Sequence, residues 1–222
     1  MAKTTTKGNC FVCGKELTKA DAKRHLLTHE YLGGNNQKCR IVKVEFPYDK
    51  DYWLYLDIPF TSTLRSLDGF LREIWLECCG HMSAFFAGDY EEIAMSRKIS
   101  TISDRSILRY EYDFGSTTEL KISFVGTITR EYQKNAVRLL VRNKAQTYTC
   151  SVCGKPATQL CCNCFYQIDN PFFCKSCAEA HYDETEHYIL PVVNSPRMGV
   201  CGYVGNLDVY GFDSEKLYDK RE

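Results

Sequence analysis

The sequence predicts an α+β domain flanked by two ends that are rich in cysteine and histidine. Residues 38–146 contain several short stretches in which apolar and polar residues alternate, and one stretch in which apolar residues recur at helical spacing. Strands around a single helix favour a sheet with that helix packed against it. The two ends instead carry pairs of cysteines separated by two residues, and the chain has 13 cysteines in 222 residues.

The predicted strands of the middle segment are rich in β-branched and aromatic residues. Pro59 ends the second strand, because proline cannot donate to a strand ladder. Thr63 can cap the helix, whose apolar residues are Leu64, Leu67, Phe70, Leu71, Ile74 and Trp75. The strands are predicted at residues 41–46, 52–58, 81–86, 106–113, 119–129 and 136–143.

Residues 1–34 contain the pattern C-x2-C-x11-H-x3-H, formed by Cys10, Cys13, His25 and His29. Thr18 and Asp21 form a capping box for a predicted helix over residues 19–30, which places both histidines on one face. The pattern resembles the two-Cys-two-His zinc finger, whose central gap is usually one residue longer. It predicts one zinc ion, with Leu17 and Ala22 as the small core of the finger.

Basic residues are concentrated in this first segment. Residues 1–40 hold eight Lys/Arg against three Asp/Glu, which gives +5, whereas residues 150–222 hold six against ten, which gives −4. Such a basic end is compatible with nucleic acid, although one finger reads only about three base pairs. Nucleic-acid binding is therefore an alternative function, and the residues that would contact DNA or RNA are Lys15, Lys19, Lys23 and Arg24.

Residues 147–195 contain eight potential metal ligands in the pattern C-x2-C-x7-C-x2-C-x9-C-x2-C-x3-H-x5-H. A tetrahedral zinc needs four ligands, so eight predict two closed structural sites and a total of three zinc ions in the chain. A catalytic zinc would keep one position open for water. The ligands are Cys150, Cys153, Cys161, Cys164, Cys174, Cys177, His181 and His187.

Two pairings of these eight ligands are compatible with the pattern. In a sequential pairing the first four bind one zinc and the last four bind the other. In an interleaved pairing, the first and third cysteine pairs share one zinc, as in the B-box, which this module resembles. The interval of four residues between Cys177 and His181 points to the sequential pairing. The resemblance to the B-box points to the interleaved pairing, which is the one we favour. Cys162 could replace Cys161, but the C-x2-C turn selects Cys161.

Residues 40–145 resemble the plasmid pRiA4b ORF-3-like family, which is also met as passenger proteins of insertion elements. The resemblance rests on residues 63–67, 74–76, 81–85 and 110–115, in that order. It implies a compact β-grasp-like sheet with a packed helix and an association with mobile DNA. After Gly115 the family pattern has an acidic residue followed by tryptophan, where this chain has Ser116-Thr117-Thr118.

Cys78, Cys79 and His81 could bind a metal or act as a nucleophile with its base. They follow an apolar helix and precede an apolar strand, where cysteine is commonly buried, and Gly80 fits a helix C-cap. We therefore expect them to belong to the core, and we expect Cys39 and Cys201 to be unliganded. An enzyme with a site near His81 is the second alternative function, although no motif in the chain indicates a reaction.

The chain begins without an apolar signal segment and has no apolar run that could span a bilayer. We expect a cytoplasmic protein whose cysteines bind metal rather than form disulfides. The residues together predict a non-enzymatic zinc-binding interaction or adaptor protein, with a protein partner bound by the C-terminal module. Residues 196–222 are expected to pack on the core.

Overall fold

The computed structural model of the chain describes residues 6–29, 34–88, 90–132 and 137–205. Within these ranges the chain forms a large antiparallel sheet, two small sheets and three α-helices. The α+β class is therefore confirmed in its coarse form, whereas the β-grasp-like arrangement stays a prediction. No helix in these ranges is long and apolar enough to cross a membrane.

The large sheet contains nine strands in the spatial order β2-β1-β9-β4-β3-β8-β7-β5-β6, and each neighbouring pair is antiparallel. Its long central strands lie between short ones, so few backbone groups are left at the edges. The strands are β1 (Lys7–Cys10), β2 (Glu16–Thr18), β3 (Asn36–Glu45), β4 (Trp53–Pro59), β5 (Ser83–Ala87), β6 (Glu91–Ile93), β7 (Ile107–Tyr112), β8 (Thr118–Glu131) and β9 (Arg138–Asn143).

The other elements lie beside this sheet or follow it. Helix α1 (Lys19–Leu26) follows β2, and helix α2 (Leu64–Leu71) continues into a π-helical turn at Arg72–Leu76. The C-terminal module contains helix α3 (Lys175–Thr185) and short strands. These are β10 (Tyr148–Thr149), β11 (Pro156–Ala157), β12 (Gln159–Cys161), β13 (Phe172–Phe173) and β14 (Ile189–Pro191).

The main core lies between α2 and one face of the large sheet. Leu54, Leu56 and Ile58 of β4 are fully buried there with Trp75 of the π-helical turn. The apolar residues predicted for the helix are all buried, because their helical spacing places them on the face that contacts the sheet. Every residue of β4 is buried, as expected for a strand covered on both faces.

The opposite face of the sheet carries a second core that includes the N-terminal finger. Trp53 and Tyr55 alternate with the β4 residues of the main core and pack with Ala22 and Leu26 of α1. The hydroxyl of Tyr55 donates to the carbonyl oxygen of Lys19 at 2.9 Å. Helix α1 therefore uses its apolar face against the sheet.

A buried ion-pair network lies on this same face. Asp57 of β4 is fully buried, and its two carboxylate oxygens accept from Arg130 Nε at 2.7 Å and from Arg138 Nη2 at 2.6 Å. The arginines belong to β8 and β9, the strands on the two sides of the β3–β4 pair. Through Asp57, the network therefore joins β8 and β9, which are not neighbours in the sheet and share no backbone hydrogen bonds.

Strand β1 hydrogen-bonds to β9 and so makes the finger part of the large sheet. Gly8 pairs with Asn143, and a Cβ atom at Gly8 would lie 2.1 Å from the carbonyl oxygen of Arg142. Only glycine allows the two backbones to come this close. The predicted boundary after residue 34 falls next to the undescribed residues 30–33, and the boundaries after residues 146 and 195 stay predictions.

The sequence predicted the middle strands and the long helix within a few residues of their observed bounds. The predicted helix over residues 19–30 is shorter than expected and ends at Leu26. Thr18 accepts from the backbone N–H of Asp21, as the capping box requires. Gly80 is not the helix C-cap, because the helical segment ends at Leu76 with Glu77 as its cap. Of the C-terminal tail, residues 206–222 lie outside the described residues.

We expect a Gly8→Ala substitution to lower the free energy of unfolding by about 1–3 kcal/mol, because the new methyl group overlaps the Arg142 backbone. A Gly69→Ala substitution in α2 is the matched control, since a Cβ there meets no atom within 4 Å. That variant should gain about 0.5–1 kcal/mol from helix propensity. Denaturant unfolding of both zinc-loaded variants measures the difference, and equal midpoints would contradict the close approach of β1 and β9.

Candidate metal centres

Four groups of cysteine and histidine side chains in the described residues can each hold a metal ion. In each group four ligand atoms lie within 4.8 Å of one another. A tetrahedral zinc with bonds of about 2.3 Å to sulfur and about 2.0 Å to nitrogen places two sulfurs about 3.8 Å apart. The same geometry gives about 3.5 Å between sulfur and nitrogen and about 3.3 Å between two nitrogens. These separations test each group.

The first group is the predicted finger site of Cys10, Cys13, His25 and His29. The turn between β1 and β2 brings the cysteines together, with the N–H of Gly14 donating to the carbonyl oxygen of Cys10 at 2.7 Å. Cys10 Sγ lies 3.4 Å from His29 Nε2, and Cys13 Sγ lies 3.3 Å from His25 Nε2. The two Nε2 atoms are 3.1 Å apart. These values agree with tetrahedral zinc.

Burial affects the histidines and Cys10 of this site in opposite ways. It lowers the pKa of His25 and of His29 below the usual value, so both rings stay neutral, which is the form that binds a metal. Burial raises the pKa of the Cys10 thiol to about 11. Without a cation, Cys10 is therefore protonated at neutral pH, and a bound zinc would replace that proton.

Three of the four basic residues predicted to contact nucleic acid are exposed on the finger, and the fourth, Lys19, is held in contacts with other residues. Lys19 forms an ion pair with Glu45 at 3.0 Å and donates to the carbonyl oxygen of Lys50. Lys15, Lys23 and Arg24 are exposed. Arg24 lies 3.5 Å from the carboxylate of Asp21, so the finger surface has mixed charge.

The second group is formed by Cys150, Cys153, Cys174 and Cys177. The first cysteine pair lies on a tight turn in which Gly154 has a φ of 70° and donates to the carbonyl oxygen of Cys150. Cys174 is the N-cap residue of α3, and its sulfur lies 3.7 Å from that of Cys153. This separation matches two thiolates on one zinc ion.

The third group is formed by Cys161, Cys164, His181 and His187. His187 Nδ1 lies 3.5 Å from both sulfurs, while His181 Nε2 lies 3.3 Å from Cys161 and 3.6 Å from Cys164. The left-handed Glu186, with a φ of 55°, ends α3 and turns the chain so that His187 returns to the site. All four separations match a tetrahedral ion.

The grouping of the eight ligands is interleaved, so the first and third cysteine pairs share a site. Cys177 and His181 both lie on α3 but contribute to different groups. An interval of four residues on one helix therefore does not decide the pairing, since His25 and His29 have the same interval and share one group. Cys162 is not in either group. Its N–H instead donates to the carbonyl oxygen of Tyr188 at 2.9 Å.

The end of the C-terminal module and the residues that follow it pack against the large sheet. Asn194 exchanges hydrogen bonds with Asn143, and Ser195 Oγ donates to the carbonyl oxygen of Trp75 at 2.6 Å. Met198 and Tyr203 are buried in a small cluster with Leu160 of β12. These contacts connect the module to the sheet.

The fourth group is formed by Cys78, Cys79, His81 and Cys201. We expected the first three to be buried in the core, which the structure does not show, and it brings Cys201, which we expected to be unliganded, next to them. Cys79 and Cys201 are exposed, and Cys78 is only half-buried, because the chain leaves the core after Leu76. Cys39 is buried and lies outside all four groups. The sequence signal for this group was the dense C-C-x-H series, but its partner lies far along the chain.

No protein-family model matches the chain, and no curated protein matches it. One similar solved structure is that of a protein of unknown function, MM3350 from Methanosarcina mazei Go1. It has a TM-score of 0.41 and 14% sequence identity, and the match covers 54% of this chain and 75% of that chain. This similarity supports no conclusion about function. The resemblance to the plasmid pRiA4b ORF-3-like family stays a prediction.

Cys161→Ser and Cys162→Ser make a matched pair of adjacent substitutions. We expect Cys161→Ser to remove one zinc and unfold the module, since structural zinc contributes on the order of 10 kcal/mol to such a fold. Cys162→Ser should keep the zinc content and the fold of the wild-type chain. Zinc can be counted by native mass spectrometry and module folding followed by limited proteolysis. Loss of zinc in both variants, or in neither, would contradict the ligand assignment.

Proposed function

We propose that this chain is a non-enzymatic zinc-binding interaction protein whose C-terminal module binds a protein partner. The observation that carries the proposal is that each of the three predicted sites has four potential protein ligands within 4.8 Å of one another. A tetrahedral ion bound by all four would have no position open for a catalytic water. Zinc at these sites would fold and hold the surface around them.

Zinc is the metal that the ligand sets favour. Tetrahedral sets of four thiolates, or of two thiolates and two imidazoles, are those of structural zinc sites. Sulfur-rich sites of this kind need reduced thiols, which agrees with the cytoplasmic location proposed from the sequence. We propose three zinc ions at the predicted sites and, from the family resemblance, a β-grasp-like central domain associated with plasmids or other mobile elements.

The exposed apolar side chains of the C-terminal module support a protein partner. Several large hydrophobic residues there are about half or more exposed, although the module has few apolar residues in its core. Exposed aromatic residues of this kind are enriched at protein interfaces. Asp183, Glu184 and Glu186 at the end of α3 are also exposed, which favours a partner segment with basic and apolar residues. The exposed apolar residues are Val152, Tyr166, Ile168, Tyr182 and Tyr188.

A pair of tyrosine double variants tests the partner surface. We expect Tyr166→Ala/Tyr182→Ala to lose cross-links to its partner in native extract without losing zinc, because neither tyrosine is a metal ligand. Tyr48→Ala/Tyr90→Ala is the control, since these tyrosines are 75% and 86% exposed and lie outside the module. Cross-linking mass spectrometry on the full-length chain gives the readout. Equal cross-linking by both variants would remove the module from the interface.

Nucleic-acid binding by the finger is the second candidate, and the exposed side chains of Lys15, Lys23 and Arg24 are the observation that favours it. It predicts duplex binding at low salt that weakens steeply as salt is added. Alanine at all three positions should weaken that binding, whereas the control Lys155→Ala/Lys175→Ala should not. Fluorescence anisotropy across a salt series measures both. Absence of binding at low salt, or a response that is flat with salt, would exclude this candidate.

A further inference from the structure

We propose that Cys78, Cys79, His81 and Cys201 form a fourth zinc site. This site would connect the segment after the C-terminal module to the loop that follows α2 and its π-helical turn. The four ligand atoms lie within 4.8 Å of one another. The Cys79 sulfur is 3.7 Å from that of Cys78 and 3.6 Å from that of Cys201. Both values are close to the separation of about 3.8 Å for two thiolates on zinc. This site goes beyond the proposed function, which needs only the three predicted sites.

The histidine completes the tetrahedral set. His81 Nε2 lies 3.2 Å from the Cys201 sulfur and 2.8 Å from the Cys79 sulfur. The second distance is shorter than the tetrahedral value of about 3.5 Å, so metal binding requires a small rotation of one side chain. Cys79 is exposed and can rotate without displacing the core. Three thiolates and one imidazole then form a closed site with no position left for water.

The loop that carries three of the ligands is held by charged side chains. Arg72 forms an ion pair with Glu77 at 2.8 Å and donates through Nη2 to the carbonyl oxygen of His81 at 2.7 Å. Glu77 Oε1 accepts from the backbone N–H of Gly80 and from the hydroxyl of Tyr112. The cysteines and the histidine are therefore positioned by their surroundings, and ordering them does not depend on the metal alone.

An acidic residue lies beside Nδ1 of the histidine ring. His81 Nδ1 lies 3.5 Å from Asp113 Oδ1, an oxygen that also accepts from the N–H groups of Gly115 and Ser116. The other carboxylate oxygen of Asp113 pairs with the fully buried Arg197. A carboxylate behind a histidine selects the tautomer that presents Nε2 to a metal, and this arrangement recurs at metal sites. Here Nε2 faces the three sulfurs.

Backbone strain is concentrated at the same place. Asp113 and Cys201, with φ values of 64° and 51°, are two of the three non-glycine residues with positive φ in the described residues. Such conformations cost free energy and are retained where the surroundings determine them, often at functional sites. Cys201 lies in a turn between Gly199 and Gly202, which also have positive φ. This turn presents an exposed thiol to the group.

The charge of the surroundings suits an anionic metal complex. A zinc ion with three thiolates carries a net charge of −1, and the guanidinium of Arg197 interacts with the thiol of Cys78. Arg197 also donates to the carbonyl oxygen of Ser116 and to Thr118 Oγ1, each at 3.0 Å. The arginine thus joins the C-terminal segment to β8 and faces a ligand of the site. A buried cation beside thiolates stabilises them electrostatically.

Zinc counting with a matched cysteine control tests this site in the full-length chain. We expect four zinc ions per wild-type chain after dialysis into zinc-free buffer, and three in Cys201→Ser, measured by native mass spectrometry. Cys162→Ser is the control and should keep four, because Cys162 belongs to none of the groups. Three ions in the wild type and three in Cys201→Ser would overturn the fourth site while leaving the proposed function intact. Four ions in both would overturn it as well.

Alkylation rates provide a second measurement, which uses the wild-type chain and requires no substitution. Cys79 and Cys201 are exposed, so a metal-free site leaves both thiols open to iodoacetamide. We expect both to be alkylated slowly in the zinc-loaded wild-type chain and rapidly once a chelator has removed the metal. Rapid alkylation before chelation, or a disulfide between Cys79 and Cys201 in place of protected thiols, would overturn the proposal.

Discussion

The convergence of four cysteine or histidine side chains on one point is the constraint on which the C-terminal module depends. The buried cluster at its centre consists of Cys150, Cys161, Cys164, Phe173 and Ala178, so most of its members are ligands themselves. Such a cluster buries too little apolar surface to offset the conformational entropy of ordering residues 147–195. Coordination of zinc at the proposed sites would supply the missing free energy. We therefore expect the module to fold only with metal bound, and its exposed aromatic residues would then depend on the metal–ligand bonds for their positions.

The N-terminal finger would depend less on a bound metal, because it is also part of the large sheet. Strand β1 pairs with β9, and α1 buries Ala22 and Leu26 against Trp53 and Tyr55. The apolar face of the helix is thus used for packing on the sheet. In addition, Lys19 forms an ion pair with Glu45. Of the four predicted basic residues, only Lys15, Lys23 and Arg24 are exposed where they could contact a phosphate backbone. The sheet cores would keep much of this region in place without zinc. This difference favours the C-terminal module as the end whose function is controlled by metal.

The sequence predicted those features that depend on local spacing. Apolar periodicity located β4 and α2, and the intervals between ligands located the three expected sites. It did not decide the pairing of the eight ligands, because Cys177 and His181 lie four residues apart on one helix in either scheme, and only their positions along α3 separate them. The prediction that Cys79 is a core residue was wrong for a related reason, whereas Cys78 is half-buried against the main core. Their neighbours in sequence are apolar, but the helical segment ends at Leu76 and the next residues turn outward. The partner of that loop, Cys201, comes from tertiary contacts that no local pattern records.

The number of residues between two ligands also determines how much a metal bound by them would stabilise the folded state. In the finger, Cys10 and His29 are 19 residues apart, whereas Cys79 and Cys201 are separated by 122 residues. In a chain-entropy description, a link that closes the longer loop removes more freedom from the unfolded state, by roughly 1.5 kcal/mol for this ratio of lengths. Each of the three predicted sites joins residues within one module. A metal on Cys201 would instead fix the segment after the C-terminal module to the loop that follows α2. That segment is already anchored by Ser195 and Arg197. The metal would therefore add to contacts that exist without it, and its loss would loosen the junction between sheet and module while leaving both folded.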